Sequence, residues 1–145
     1  MLVSDIMVAA VARLRSLDRQ RSVREAAGAF SDMQVGLLVV RGDRGETTGV
    51  VSKSDLVRHL ARAGSVDAPL AEVMSRPVVS TSPTADLRQA WQFMVQKRLQ
   101  NLPLLDVDRK PLGMLDIRDA LEAILQVEER QEAELINYIS GNGYR

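Results

Sequence analysis

The apolar positions of this chain repeat in the same order twice, 64 residues apart. In each half, apolar residues at helical spacing are followed by two short apolar runs with a polar turn between them, and then by a second amphipathic stretch. The first full helix is expected from Val23 in one half and from Leu87 in the other. This pattern predicts two copies of one unit, each with a short helix, a strand, a helix, two strands and a final helix.

Capping signals mark the start of this first full helix in both copies. Ser22 with Glu25, and Asp86 with Gln89, have the spacing of a capping box, in which each side chain satisfies a free backbone amide. Apolar residues at helical spacing follow, and we expect them to pack in the core or between the copies. The bulky members of this set are Phe30, Met33, Trp91 and Met94.

The last strand of each copy leads into a repeated motif. Residues 49–56 read Gly-Val-Val-Ser-Lys-Ser-Asp-Leu, and residues 113–120 read Gly-Met-Leu-Asp-Ile-Arg-Asp-Ala. The spacing of Ser52 and Asp55 is itself a capping box, so helix capping and ligand binding are both open interpretations. Pro103, inside the preceding strand of the second copy, predicts an edge position or one whose backbone nitrogen faces a cleft, because proline has no amide hydrogen to donate.

The duplication divides the chain into two copies and a linker. The first copy is predicted over residues 1–63 and the second over residues 70–126, joined by a linker at 64–69 that contains glycine and proline. Asp-Ile-Met at 5–7 corresponds to Glu-Val-Met at 72–74, at a separation of 67. The first copy therefore carries three extra residues before its first full helix.

Residues 127–145 lie beyond the second copy and predict a C-terminal helical extension. The first half of this segment is polar on all sides. Its second half carries an apolar cluster that consists of Leu135, Ile136, Tyr138 and Ile139. Such a cluster needs cover, and we prefer a second subunit over the chain's own domain. Ser-Gly-Asn-Gly at 140–143 predicts the end of the helix.

The charge balance gives no general attraction to nucleic acid or to a membrane surface. The 145 residues include 19 basic and 19 acidic side chains, for a net charge of zero. Aromatic residues make up only 3% of the chain, which argues against a base-stacking surface. Residues 13–21 hold a cluster of arginines that could reach phosphates or an acidic partner, although a solvated loop is the preferred interpretation. The cluster consists of Arg13, Arg15, Arg19 and Arg21.

Few residue types in this chain carry reactive chemistry. There is no cysteine and a single histidine, His59, so we expect no disulfide, no metal centre and no Cys-His nucleophile. Neither a Gly-rich phosphate loop nor a nucleophile elbow is present, and we expect no enzymatic activity. No apolar run approaches the roughly 20 residues of a membrane helix, and the N-terminus lacks signal-peptide features. These features predict a soluble, cytoplasmic protein.

Taken together, the motifs resemble a tandem pair of cystathionine-β-synthase-type domains, the CBS pair. The resemblance covers residues 2–126 and is carried by the two Asp/Glu-x-Met segments, Pro-Val-Val-Ser-Thr at 77–81, Asn-Leu-Pro-Leu-Leu-Asp at 101–106 and the two Gly-x-x-(Ser/Asp)-x-x-Asp motifs. It implies an α+β fold of two β-α-β-β-α units packed by their sheets about a pseudo-two-fold axis. Two clefts would form between the units, and the C-terminal helix would be an addition.

The resemblance also implies an adenosine-containing ligand in the clefts, with AMP, ADP or ATP favoured over S-adenosylmethionine. The motif aspartate would hold ribose hydroxyls, the residue three positions earlier would face ribose or phosphate, and backbone near the first strand would meet adenine. Lys97 and Arg98 are additional candidates for phosphate contacts. The candidate ligand-binding residues are Ser52, Lys53, Asp55, Val78, Ser80, Asn101, Pro103, Asp116, Arg118 and Asp119.

The two copies differ at the position expected to face phosphate. Ser52 of the first copy corresponds to Asp116 in the second, where the family usually has Thr or Ser. Asp116 is a good helix cap, but two negative charges at contact distance repel by about 4 kcal/mol at an effective dielectric constant near 20. Arg118 is a candidate to compensate. We therefore expect the better nucleotide site at Ser52 and Asp55, with the second site empty or occupied by a less anionic adenosine compound.

The preferred interpretation is a non-catalytic regulatory homodimer that binds an adenosine ligand and signals to an effector protein. The alternative is a structural dimerisation or scaffold protein whose clefts are ligand-free, which Asp116 favours. A nucleic-acid-binding regulator ranks third, because only the arginines of residues 13–21 support it. No covalent cofactor is expected.

Overall fold

The computed structural model describes residues 1–140 and has an α+β architecture. The helices are α1 (Met7–Arg13), α2 (Val23–Phe30), α3 (Lys53–Ala61), α4 (Leu87–Lys97) and α5 (Ile117–Ile139). The strands are β1 (Ser16–Asp18), β2 (Leu38–Arg41), β3 (Thr47–Val51), β4 (Asn101–Leu105) and β5 (Pro111–Asp116). Short 3-10 helices at Val3–Ile6 and Leu70–Glu72 open the two copies.

Side-chain caps start the helices where the sequence predicts them. The Ser22 hydroxyl accepts from the amide of Glu25 at 3.1 Å, and this is the forward half of the predicted box. The complete box forms at the start of α3, where Ser52 accepts from the Asp55 amide at 3.2 Å and Asp55 accepts from the Ser52 amide at 2.9 Å. The capping interpretation of this motif is confirmed.

The two sheets differ because the first strand of the second copy does not form. In the first copy, β1 pairs parallel to β2, and β2 pairs antiparallel to β3. In the second copy, β4 and β5 form an antiparallel pair, and the predicted preceding strand is reduced to one parallel bridge between Thr81 and Leu104. Pro103 lies next to that bridge, on the edge strand that its missing amide predicts.

Each copy's opening segment packs into the core of the other copy. Val3 is fully buried among the core residues of α4, α5 and β4, whereas Leu70 is fully buried among those of α2, α3 and β2. Backbone hydrogen bonds fix both exchanges, since Val3 donates to the Ala85 carbonyl at 2.9 Å and Leu70 donates to the Arg21 carbonyl at 2.8 Å. The two copies are therefore interlocked.

Two predictions about individual side chains need correction. Met33 is 89% exposed and does not pack in the core, because α2 ends at Phe30 and helical spacing no longer applies beyond it. The arginine-rich stretch at 13–21 is not a solvated loop. It contains the end of α1 and strand β1, and Arg13 forms ion pairs with two carboxylates of the second copy.

The C-terminal segment continues the last helix of the second copy. Helix α5 has 23 residues and runs without a break through positions 126 and 127. The cluster predicted to need cover is exposed in this chain, with exposed fractions of 56–69%: Leu135, Ile136, Tyr138 and Ile139. Ser140 is the C-cap, and the predicted stop at Gly141 and Gly143 lies outside the described residues. Across residues 1–140, no helix is both long and apolar enough to cross a membrane.

The interlocking of the copies predicts a large stability effect at Leu70. Leu70→Ala should lower the free energy of unfolding by about 2–5 kcal/mol, because the side chain is fully buried in the other copy's core. Leu60→Ala is the matched control, since Leu60 is 48% exposed, and it should change stability by less than about 1 kcal/mol. Urea unfolding of both variants measures this; equal effects would contradict the interlocked core.

Candidate ligand-binding site

Two adjoining cavities lie where the two copies meet. The apolar cavity has a volume of about 280 Å³ and is walled by Val50, Pro77, Val79 and Pro103. The polar cavity has a volume of about 420 Å³, and Ser52, Lys53, Ser54, Asp116 and Arg118 are among its lining residues. Gly36, Gln100 and Asn101 line both cavities, so the two form one elongated site with an apolar and a polar half.

Pro103 explains why the apolar cavity is open. The Thr81 amide donates to the Pro103 carbonyl at 2.9 Å, and the Leu105 amide donates to the Thr81 carbonyl at 3.0 Å. In a parallel ladder the next hydrogen bond would run from the amide of residue 103 to the carbonyl of Val79, and proline has no amide hydrogen. The chain before Thr81 therefore leaves β4, and Pro77 and Val79 form the wall of a cavity.

The polar cavity lies at the beginnings of two helices. Helix α3 starts after Ser52 and helix α5 starts after Asp116, and both residues line the cavity. The amino-terminal end of a helix carries a partial positive charge and unpaired amides, so it favours anionic or hydroxyl-rich groups. Lys53 lines the same cavity, and its ammonium has no ion-pair partner among the described residues. This half of the site suits a polar, negatively charged group.

The Asp55 carboxylate lies behind the polar cavity and is engaged within the fold. Its side chain is 7% exposed, and Oδ1 accepts from Arg58 at 2.7 Å and from the Ser75 hydroxyl at 2.9 Å. The bond to Ser75 ties the start of α3 to the segment that walls the apolar cavity. Asp55 therefore both caps a helix and positions the cleft wall.

The second motif has two carboxylates, Asp116 and Asp119, and both are held by arginines. Asp116 is 4% exposed at its side chain and accepts from Arg118 Nη2 at 2.9 Å, while Arg13 Nη1 lies 3.5 Å away. Arg13 also donates to both oxygens of Asp119, at 2.5 Å and 3.0 Å. The two arginines and the two aspartates together have no net charge, so the second motif adds no net negative charge beside the polar cavity.

The electrostatics of Asp116 follow from this arrangement. Burial raises the pKa of the Asp116 carboxyl. Hydrogen bonds from the side chain and backbone of Arg118, together with the charges of Arg13 and Arg118, outweigh that penalty and hold the pKa below its ordinary value. The hydrogen bond to Asp119 raises the pKa of the Arg13 guanidinium, so Arg13 stays charged.

The structure brings most of the candidate residues together, but not all of them. Five line the polar cavity: Ser52, Lys53, Asn101, Asp116 and Arg118. Pro103 and Asn101 line the apolar cavity. Val78 and Ser80 line neither cavity, and Ser80 lies at separate surface depressions with Thr81 and Ala85. Asp119 is held by Arg13, away from both cavities.

Sequence reasoning missed Pro77, Val79 and Val50 as cavity residues. In an extended chain successive side chains point to opposite sides, so only one parity of residues 77–80 can face the cleft. The cavity shows that the odd positions do. The signal was present in the sequence as the apolar pair Pro77 and Val79. No group of three or more His, Cys, Asp or Glu side chains in the described part of the chain is placed to hold a metal ion.

Comparison with known proteins identifies the repeated unit. The sequence model of the CBS domain matches the chain twice, over residues 3–62 and 70–126. The CBS domain-containing protein YhcV of Bacillus subtilis (strain 168) is 30% identical over 139 residues, which cover 95% of this chain and 94% of YhcV. The homoserine O-acetyltransferase of Methanohalobium evestigatum is 27% identical over 81% of this chain but only 23% of its own length.

Two solved structures have the same fold. The crystal structure of CBSX2 in complex with AMP gives a TM-score of 0.74 at 22% identity and covers 88% of this chain and 98% of that one. The CBS domain pair of protein MJ0100, in complex with 5'-methylthioadenosine and S-adenosyl-L-methionine, gives 0.71 at 19% identity, with coverage of 88% and 98%. The α+β fold of paired repeats with an added C-terminal helix, predicted from the sequence, is confirmed.

The lowered pKa of Asp116 predicts a pH dependence of stability. A carboxylate whose folded pKa lies below its unfolded value of 3.8 stabilises the fold above that pH, and this contribution is lost as the pH falls through the folded pKa. Asp116→Asn keeps a capping side chain but removes the charge, so its stability deficit should be full at pH 7 and shrink below pH 3.8.

Asp116→Ala serves as the comparison variant, because it also removes the helix cap. It should cost about 0.5–2 kcal/mol more than Asp116→Asn at both ends of the pH range. Urea unfolding from pH 7 to about pH 2.5 measures both effects. A deficit of Asp116→Asn that is constant over this range would show that the charge contributes nothing.

Proposed function

The chain belongs to the CBS domain family, and we propose that it is a non-catalytic regulatory protein that binds an adenosine-containing ligand between its two repeats. The observation that carries this proposal is the elongated site itself, in which the apolar cavity of about 280 Å³ opens into the polar cavity of about 420 Å³. A nucleoside has the same division, with a flat, largely apolar base and a polar ribose and phosphate. Binding pockets commonly have volumes of about 300–1,000 Å³.

In this proposal the base lies in the apolar cavity and the ribose points into the polar one. Val50 belongs to the first repeat, whereas Pro77, Val79 and Pro103 belong to the second, so the base would contact both. The carboxamide of Asn101 lies at the junction of the two cavities, where it can bond to ribose or to a ring nitrogen. The Asp55 carboxylate would accept a hydrogen bond from a ribose hydroxyl in place of the one from Arg58, whose side chain is 62% exposed.

The charges at the site favour an anionic ligand. Lys53 lines the polar cavity and Arg98 lines the apolar one, and neither is in an ion pair within residues 1–140. Both can therefore accept a phosphate without breaking an existing contact. AMP, ADP and ATP are accordingly preferred over S-adenosylmethionine, although the related structures were solved with AMP and with S-adenosyl-L-methionine and 5'-methylthioadenosine.

A ligand that bridges the two repeats can transmit a signal through their relative arrangement. It favours one arrangement only in proportion to its difference in affinity between the two. An effector protein would read that arrangement. The competing proposal is a scaffold with ligand-free clefts, and it is supported by Asp55, because Ser52, Arg58 and Ser75 already occupy its carboxylate oxygens.

We also propose that the protein is a homodimer that uses the end of α5. Ile124 is the last buried residue of this helix, and about 15 more residues extend from it, a length of roughly 22 Å. Leu135, Ile136 and Ile139 lie on that extension, and each is more than half exposed. A second copy is the preferred cover, since an identical helix end presents the same apolar surface and can pair with it symmetrically.

Ligand binding predicts a thermal shift that depends on the apolar wall. In a panel of AMP, ADP, ATP, NAD and S-adenosylmethionine, a true ligand at about 100 times its Kd should add about 2.7 kcal/mol, or roughly 5–10 °C in Tm. Val79→Arg should abolish the shift, because it places a charged side chain in the apolar cavity. Val79 is 47% exposed, so we expect the fold to survive the substitution.

Val95→Arg is the matched control for this experiment. Val95 is 48% exposed on α4 and lines neither cavity, so the variant should retain the full shift. A panel in which no compound raises the Tm of the unmodified protein would refute ligand binding and support the scaffold. A shift that survives Val79→Arg would move the ligand elsewhere.

The dimer proposal predicts a change in mass on a single substitution in α5. Ile136→Lys, at a position 56% exposed, should convert the dimer to a monomer because it places a charge in the apolar contact. Gln131→Lys, on the polar part of the same helix, should leave the mass unchanged. Sedimentation equilibrium measures both, and a dimer that persists in Ile136→Lys removes the helix end from the interface.

A further inference from the structure

We propose that Arg13 is a built-in occupant of the second cleft, which it keeps closed, so that the chain offers one adenosine-binding cleft instead of two. This inference rests on the proposed function and concerns the number and control of its sites. It follows from comparing each wall of the open cavity with the residue 64 positions away in the other repeat.

The structure fixes which residues correspond. Leu17 pairs with Val40 in the first repeat, and Thr81 bridges to Leu104 in the second. Each residue of the second pair lies 64 positions after its counterpart in the first. Ala10 packs against Gly113, and Met74 packs against Gly49. Ala10 is therefore the counterpart of Met74, and the separation of 64 already holds at Ala10. The three extra residues of the first repeat therefore lie at 7–9, inside α1.

The backbone of the second cleft is closed by a hydrogen bond that the open cleft lacks. Val39 occupies the position of Pro103, and its amide donates to the carbonyl of Arg15 at 3.0 Å. Arg15 in turn occupies the position of Val79. The segment before β1 is thereby drawn against β2, whereas the segment before Thr81 is free of β4.

The side chains that wall the open cavity are replaced by charged ones. Arg13 and Arg15 stand where the open cavity has Pro77 and Val79. Arg15 is exposed, and its guanidinium donates to the carbonyls of Ala12 and Leu14 at 3.0 and 2.9 Å, so Arg13 is the side chain that fills the cleft. A purine that entered here would have to displace the Arg13 guanidinium from its ion pairs with Asp116 and Asp119, and these carboxylates would lose a hydrogen-bonding partner.

Arg13 also takes the carboxylate that a ribose would need. Its Nε and Nη2 donate to the two oxygens of Asp119, the counterpart of Asp55. The two side chains are only 26% and 19% exposed, and Asp116 lies 3.5 Å from the same guanidinium. This pair combines two parallel hydrogen bonds with the attraction of opposite charges, whereas a ribose hydroxyl is an uncharged donor, so a ribose does not readily displace Arg13 from Asp119.

Helix α1 covers the remaining side of the second cleft. Ala10 is 1% exposed, and a side chain at Gly113 would come within 3.0 Å of its backbone. At the equivalent place in the first repeat, the atoms nearest to Gly49 belong to the flexible side chain of Met74. Arg13, at the end of α1, anchors the helix in this position.

The absence of cysteine allows a direct test by thiol labelling. Val50→Cys probes the open cavity and Met114→Cys the equivalent wall of the closed one. The thiol from Val50→Cys should react faster. Adding Arg13→Ala should raise the labelling rate of Met114→Cys by roughly tenfold or more, the factor expected for losing a charge-assisted hydrogen bond, and should leave that of Val50→Cys unchanged.

Arg21→Ala is the matched control, since Arg21 is paired only with Glu25 on the surface at 3.4 Å. Its addition should change neither rate. Equal labelling of Met114→Cys with and without Arg13→Ala would overturn the proposal, and unchanged labelling of Val50→Cys shows that the fold has survived the substitution.

Calorimetric titration with AMP gives the second arm. The unmodified protein should bind one AMP per chain, Asp119→Asn should not weaken that event, and Arg13→Ala should add a second one. Two sites in the unmodified protein, or loss of binding in Asp119→Asn, would refute the closed cleft. Absence of any AMP binding would instead count against the proposed function, while the labelling rates still decide the role of Arg13.

Discussion

The two repeats differ in one backbone hydrogen bond between the first strand and the second. In the first repeat the amide of Val39 holds the carbonyl of Arg15 at 3.0 Å, which continues the parallel ladder from β1 to β2. In the second repeat Pro103 has no amide to offer, so the ladder stops at Thr81. The cavity between the repeats exists because this segment is not drawn onto the sheet.

The exchange of opening segments determines what fills that space. Leu70 is anchored in the first repeat's core and Thr81 pairs in the second, so the segment between them must cross the gap between repeats. On the other side Val3 is anchored in the second core and β1 pairs in the first. Three extra residues allow this crossing segment to become helix α1, which packs closely against β5. The same topology therefore gives an open cleft on one side and a filled one on the other.

The sequence predicted the repeat, the helix caps and the edge position of Pro103, since each depends on a local pattern. It did not predict the end of α2, because Met33 continues the apolar spacing beyond the residue at which the helix stops. It also named Val78 and Ser80 instead of Pro77 and Val79, because periodicity fixes that alternate residues face the cleft but not which alternate set does. The pairing of Arg13 with Asp119 joins residues 106 positions apart, and no local pattern encodes such a contact.

The difference between Ser52 and Asp116 has a smaller effect than its charge alone suggests. An isolated carboxylate at the polar cavity would repel a phosphate, but Arg118 and Arg13 bind Asp116 and hold its pKa low by stabilising the ionised form. Because these bonds lie within the protein, the negative charge of Asp116 is already compensated by the two arginines when no ligand is bound. The difference between the two clefts therefore depends less on whether Ser52 or Asp116 starts the helix than on the segment that crosses between the repeats beside each cleft. Pro77 and Val79 leave an apolar wall, whereas Arg13 brings its own charge to the second motif and satisfies it.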